Sequence, residues 1–237
     1  YPFCTIDPNV GIVEVPDSRL QKLTELVKPK KTVPTAFEFT DIAGIVKGAS
    51  KGEGLGNKFL SHIREVDAIA HVVRCFDNDH ITHVSGNVDP ISDIETINLE
   101  LILADLETVD KRLERVKKQA KQKDREAQLE YEALEKIKQA FEEDKPARNV
   151  ELKEKEHQVV RGLHLLTMKP VLYVANVSED ELYQEEANDY VHRVRQYAEK
   201  ENAEVIVVCA KIEEEIAELD DEERQAFLEE IGIPEAG

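Results

Sequence analysis

The chain has 237 residues, with 31 Lys+Arg against 50 Asp+Glu and a formal charge of −19. That length supports one or two domains with a sizeable core, and the acidity opposes general attraction to nucleic acid or anionic membrane unless the charge is unevenly spread. No apolar run reaches the length of a membrane span. Five segments read as strands in chain order: 10–15, 36–40, 68–75, 170–175 and 205–210. The last three are near-continuous runs of Val, Ile, Ala and other apolar residues, the pattern of parallel strands covered on both faces. Helical periodicity fills 55–65 through Leu60 and Ile63, and 186–201 through Val191, Val194 and Ala198. Alternation of strands and helices predicts an α/β sheet.

A different texture interrupts the alternation from about 94 to 164. Leu106, Val109, Leu113 and Val116 step by three and four, as do Leu134, Ile137 and Phe141. Charged residues of both signs fill the positions between them. This pattern predicts two long antiparallel helices forming a coiled-coil hairpin inserted into the α/β body. Asp144, Lys145 and Pro146 form a turn signal, because proline ends a preceding helix. The expected division is therefore 1–95 and 167–237 as two parts of one nucleotide-binding domain, with 96–166 as the helical insertion. The segment 212–235 carries eleven carboxylates against Arg224 alone, with Ile216, Leu219, Phe227, Leu228 and Ile231 as a stripe. It predicts one acidic amphipathic helix on the sheet edge.

Three strand ends carry polar chemistry, and ligands of open α/β sheets sit beyond the carboxyl ends of the strands. The second strand runs into Asp41-Ile42-Ala43-Gly44. A carboxylate there can join a Mg²⁺ shell while the glycine N–H approaches a γ-phosphate, although D-x-x-G alone is a weak motif. Five of the ten glycines follow within 13 residues, Gly44 to Gly56. Such a run suits either a phosphate-responsive loop or an ordinary flexible one. The fourth strand ends in Asn176-Val177-Ser178-Glu179, an altered form of the Asn-Lys-x-Asp base-reading motif. Val177 removes the lysine stem and Glu179 is one methylene too long, so guanine selectivity should be weak. The fifth strand ends in Cys209-Ala210-Lys211, close to the Ser-Ala-Lys loop that also packs on the base. The order and placement of the three motifs make a strong joint signal.

With Tyr1-Pro2-Phe3-Cys4-Thr5-Ile6-Asp7-Pro8-Asn9, the run from Asp41 to Asn57 and His71-Val72-Val73-Arg74-Cys75-Phe76, the chain resembles the YchF, or Obg-like ATPase, family of translation-factor-class P-loop NTPases. The resemblance covers essentially the whole chain. It implies a mostly parallel P-loop NTPase-type sheet, hydrolysis of ATP in preference to GTP, and a cytoplasmic, ribosome-associated regulatory switch. Mg²⁺ and ATP are the implied cofactors, GTP more weakly, with K⁺ a further candidate. By the same resemblance Thr5 and Asp41 hold the metal, Gly44 meets the γ-phosphate, and Asn176, Val177, Glu179, Cys209, Ala210 and Lys211 border the base. Ile45 stands where Ras-like enzymes orient water with glutamine, and the resemblance gives that task to His83. Read without it, His83 belongs to a solvated loop, or to a metal site through the His80/His83 spacing.

No G-x-x-x-x-G-K-[ST] occurs in the 237 residues. With Tyr1 in place of Met, this makes the chain an expected fragment lacking the phosphate loop and the family's C-terminal TGS domain, with little hydrolysis of its own. Cys4, Cys75 and Cys209 have no metal or disulfide spacing and read as reduced cytosolic thiols. Lys111, Arg112, Arg115, Lys117, Lys118, Lys121, Lys123 and Arg125 lie within 15 residues, opposed by Glu114 and Asp124. Two readings fit them: a solvated coiled-coil face, or a surface touching ribosomal RNA phosphate, with no DNA specificity and no membrane partner. A non-hydrolysing coiled-coil adaptor that binds RNA or the ribosome is the alternative function.

Overall fold

The computed structural model describes residues 9–42, 56–77 and 87–233, in two compact units, Tyr1–Val66 and Asp67–Gly237. In the first unit β1 (Asn9–Glu14) and β2 (Ala36–Asp41) pair antiparallel, Asn9 opposite Asp41 and Glu14 opposite Ala36. Helix α1 (Ser18–Val27) joins them, a helix outside the sequence expectation. Its signal is Asp17, whose carboxylate accepts from Arg19 N at 2.9 Å as N-cap. Helix α2 (Gly56–Glu65) follows and buries Phe59, Leu60 and Ile63.

The second unit is built on three parallel strands, β3 (Ile69–Arg74), β4 (Val171–Asn176) and β5 (Glu204–Val208), in the order β3-β4-β5. The α/β expectation and its parallel run stand. Register places Arg74 beside Asn176 and Asn176 beside Val208, so the three carboxyl ends are level. Val73, Tyr173 and Ala175 pack with Val191, Val194 and Ala198 of α6 (Asp189–Lys200), and with Ile212 and Ile216 of α7 (Ala210–Ala217). Leu228 of α8 (Asp221–Ile231) joins the same core. The expected single acidic helix is thus two. Asp220 breaks it by accepting from Glu223 N at 2.8 Å, and Asp221, Glu222 and Glu223 then sit in the electropositive first turn of α8.

The interrupting segment forms α3 (Pro90–Ala120), α4 (Arg125–Glu142) and the short α5 (Glu154–Val160), which the sequence reading did not separate. Val109, Leu113 and Val116 of α3 are buried, as are Leu134, Ile137 and Phe141 of α4. The 3–4 spacing read along the sequence is that seam. The connecting turn lies between α3 and α4, where Lys123 adopts φ 64° and Asp124 caps α4 by accepting from Glu126 N and Ala127 N. The Asp144–Pro146 signal ends the preceding helix as expected, closing α4 with Asp144 at φ 56°.

A buried polar network joins the hairpin base to the sheet. Tyr173 OH donates to Glu201 Oε2 at 2.8 Å, and Arg148 lies 3.6 Å from the same carboxylate. Asn98 of α3 donates to Tyr197 OH at 3.2 Å. His71 faces Tyr173, ring centroids 5.8 Å apart, and burial together with the Arg148 guanidinium lowers its imidazole pKa to about 4. Below pH 6.5 the unfolded chain binds a proton there that the folded chain refuses, so stability falls as pH drops from 6.5 toward 4. The full effect is on the order of 3 kcal/mol. His71→Leu should flatten that part of the pH profile relative to the parent chain, read from urea midpoints between pH 7 and 4.5; parallel profiles would refute it.

Candidate functional site

The level strand ends bring two predicted loops together. Asn176, the last residue of β4, accepts from Ala210 N at 2.9 Å through Oδ1 and from Cys75 N at 2.8 Å through its backbone carbonyl. One side chain therefore fixes the start of α7 while its backbone ties in the exit of β3. Glu179 and Lys211 form an ion pair at 3.0 Å, both substantially exposed. The carboxylate raises the Lys211 pKa. Water screens an exposed pair of this kind, so a ligand can replace it with little loss.

Val177 and Cys209 are placed differently from the sequence expectation. Both side chains are 2% exposed and belong to the core of the sheet. The Val177 N–H donates to Val208 O at 2.9 Å, which continues the β4–β5 pairing one residue further and turns the side chain inward. Its side chain therefore does not border an open base site, and it gives none of the cover a lysine stem would, as the altered motif implied. Ala210 and Lys211 are exposed at the same strand ends.

Asn188, Glu181 and Tyr190 were not singled out from the sequence. Asn188 caps α6 by accepting from Val191 N at 3.0 Å, and its amide donates to Cys75 O at 3.0 Å and Glu181 Oε2 at 2.9 Å. Tyr190 OH donates to Asp77 Oδ1 at 2.8 Å. The Asn188-Asp189 pair ahead of a periodic helix was the available signal, an N-cap that sequence reasoning could have named. These contacts hold the exit of β3 against the start of α6. Burial, helped by the Glu181 carboxylate, pushes the Cys75 thiol up to about 12, so it stays protonated and unreactive.

Asp41 ends β2 opposite Asn9, exposed, and its carboxylate makes no hydrogen bond or ion pair with another described residue. An exposed carboxylate at a strand end suits a hard cation such as Mg²⁺, directly or through water. Thr5, Gly44 and His83 lie outside the described residues, as does the His80/His83 spacing. Among the described residues no cluster of three His, Cys, Asp or Glu side chains is arranged for a metal. A shallow depression lined by Arg195, Glu199 and Glu204 lies at the amino end of β5, opposite the strand ends described above.

The family model for the 50S ribosome-binding GTPase matches residues 1–127. The "Ribosome-binding ATPase YchF" of Bacillus subtilis is 74% identical over all 237 residues, and that of Haemophilus influenzae 55%. The chain spans 65% and 64% of the lengths of these relatives. The solved structure of the Schizosaccharomyces pombe YchF GTPase superposes with a TM-score of 0.78 at 38% identity, covering 98% of this chain and 64% of that one. The match to the family model, the identity along the whole chain and the shared fold have one reading: the chain belongs to the YchF family.

Proposed function

We propose that this chain forms the nucleotide-responsive body of a cytoplasmic nucleoside triphosphatase that prefers ATP to GTP and works as a ribosome-associated switch. The observation that carries the reading is the joined pair of strand-end loops, Asn176 with Ala210 and Glu179 with Lys211. In this reading a purine edge would meet the Asn176 amide and the Lys211 ammonium. The Glu179 carboxylate is occupied by Lys211 rather than held free for the two adjacent donors of guanine, and Val177 offers no cover. Discrimination for guanine depends on such polar pairing, so its loss favours tolerance of adenine.

Asp41 and Thr5 would hold Mg²⁺, which when bound neutralises charge on the β- and γ-phosphates. Gly44 would approach the γ-phosphate through its N–H, and His83 would orient the attacking water or steady the charge that develops. K⁺ is a further candidate ion. The helical insertion, 96–166, would serve as the surface that couples nucleotide state to the ribosome. Because no G-x-x-x-x-G-K-[ST] lies within the chain, the 237 residues alone should bind nucleotide weakly.

In the full-length protein, calorimetry should show tighter binding of ATP than of GTP. His83→Ala should lower turnover at least tenfold with ATP affinity retained, since general acid–base or positioning groups contribute on the order of 10²–10⁴. Normal turnover in that variant would remove His83 from the mechanism. Tighter binding of GTP would overturn the base assignment.

A further inference from the structure

The first residues of α6 do more than cap a helix. An N-cap needs one side-chain acceptor, and Ser, Thr or Asp supplies it as well as Asn. Asn188 meets that need with Oδ1, which accepts from Val191 N at 3.0 Å. Its amide brings two protons that capping does not use, and they go to Glu181 Oε2 at 2.9 Å and Cys75 O at 3.0 Å. The side chain cannot be turned over, since its oxygen would then face two acceptors. Asn188 is 7% exposed and Cys75 fully buried, so water does not replace a bond lost between them.

The two acceptors belong to different loops. Glu181 lies two residues after Glu179, in a turn closed by Glu181 N and Leu182 N, which both donate to Ser178 O at 3.2 Å. Cys75 is the exit of β3, and its N–H is held from the other side by Asn176 O at 2.8 Å. Two residues further on, Asp77 accepts from Tyr190 OH at 2.8 and 3.1 Å. Tyr190 stands in the first turn of α6, with the Arg193 guanidinium over its ring at 5.3 Å. The chain from 75 to 77 is therefore gripped by β4 and α6, six residues of sequence before His83.

We propose that Asn188 is a positioning residue that couples the base loop to turnover, by holding Glu181 and the exit of β3 on one amide. This coupling rests on the reading of the strand-end loops as the base site and of His83 as the group that acts on water. It adds the connection between them. A base seated beside Glu179 orders the 178–182 turn, and that turn presents Glu181 to Asn188. The amide then fixes Cys75, while Tyr190 fixes Asp77. Without the Glu181 carboxylate, the amide keeps its bond to Cys75 but has no link to the base loop.

The test is steady-state ATP hydrolysis by the full-length protein, with ATP affinity from calorimetry and folding from thermal melts. Asn188→Ser keeps the N-cap oxygen and loses both amide bonds. It should lower kcat about five- to tenfold with ATP affinity within about twofold of the parent, the pattern of a group that acts in the transition state alone. Glu181→Ala and Tyr190→Phe should each lower kcat about threefold, and Glu181→Gln, which keeps an acceptor oxygen, should restore it. The Asn188→Ser, Glu181→Ala double variant should be no slower than Asn188→Ser, because both changes remove one connection. In a His83→Ala background the Asn188→Ser loss should shrink to within about twofold, since the group being positioned is gone.

Losses that multiply at 181 and 188, affinity that falls in step with kcat, or normal kcat in a folded Asn188→Ser would each overturn the proposal. If Asn188→Ser melts far below the parent, Glu181→Ala and Tyr190→Phe decide, and unchanged kcat in both overturns it equally. Normal turnover in His83→Ala alone overturns the reading beneath, and the cycle at 181 and 188 still decides the coupling.

Discussion

Asp105→Ala is expected to destabilise the second unit by about 3–5 kcal/mol, the range for removing one partner of a buried charge-assisted cluster. Asp105 and Thr167 are both fully buried. The carboxylate accepts from Leu166 N at 2.8 Å, Thr167 N at 2.8 Å and Thr167 Oγ1 at 2.6 Å. The same hydroxyl oxygen accepts from Ala147 N at 3.1 Å, and Thr167 O accepts from Arg148 at 3.2 Å. Alanine at 105 would leave two backbone donors without an acceptor inside a dry core, together with a space where the carboxylate was. Water cannot satisfy them without entering the hairpin base. The chain contains no tryptophan, so the measurement is urea unfolding followed by far-ultraviolet circular dichroism. The midpoint should fall by roughly 1–2 M. Asp105→Asn, which keeps one acceptor oxygen, should fall between the two. A loss below 1 kcal/mol for the alanine variant would mean that the hairpin base is held by its apolar seam alone.

Local periodicity made the hairpin legible. Leu113, Val116, Leu134 and Ile137 repeat at a spacing that only a two-helix seam satisfies, and all four are buried. The apolar runs of β3, β4 and β5 were equally plain as strands, but the cover expected on both faces is not what the described residues show: Val73, Tyr173 and Ala175 are buried, while Val72 is 63% and Ile206 42% exposed. What anchors the hairpin to the sheet was not legible. Asp105 and Thr167 are 62 residues apart, and nothing local to either marks it as the other's partner. The break between α7 and α8 was hidden for another reason. In a run of acidic residues, Asp220 differs from its neighbours only by accepting Glu223 N, and composition cannot show which carboxylate turns back on the backbone. Strand-end placement put Asn176, Glu179, Ala210 and Lys211 near one another in the sequence reading, but which side chains turn inward depended on where the sheet pairing stops. Val177 shows this most clearly, since its hydrogen bond to Val208 extends the ladder and turns the residue into the core.

That inward turn separates two substitutions that a motif comparison would treat alike. Val177→Lys would restore the lysine of the guanine-reading pattern, yet it would place an ammonium among Ala175, Val191 and Ile212. Its stem can run along apolar surface, but the charged head must reach water or lose its proton. The expected cost is roughly 2–4 kcal/mol, with no gain in affinity for GTP. Glu179→Asp acts at an exposed, solvent-screened pair, so thermal stability should stay close to that of the parent chain. The shorter carboxylate loses its reach to Lys211 and becomes available to the paired donors of guanine. In the full-length protein, the ratio of ATP to GTP affinity should therefore narrow several-fold in Glu179→Asp and stay unchanged in Val177→Lys. Thermal melts and calorimetry with both nucleotides decide between them. A Val177→Lys chain that melts with the parent would show that position 177 reaches solvent. An unaltered ratio in Glu179→Asp would show that Glu179 does not read the base, and that base selection lies with Asn176 and the backbone of the Cys209–Lys211 turn.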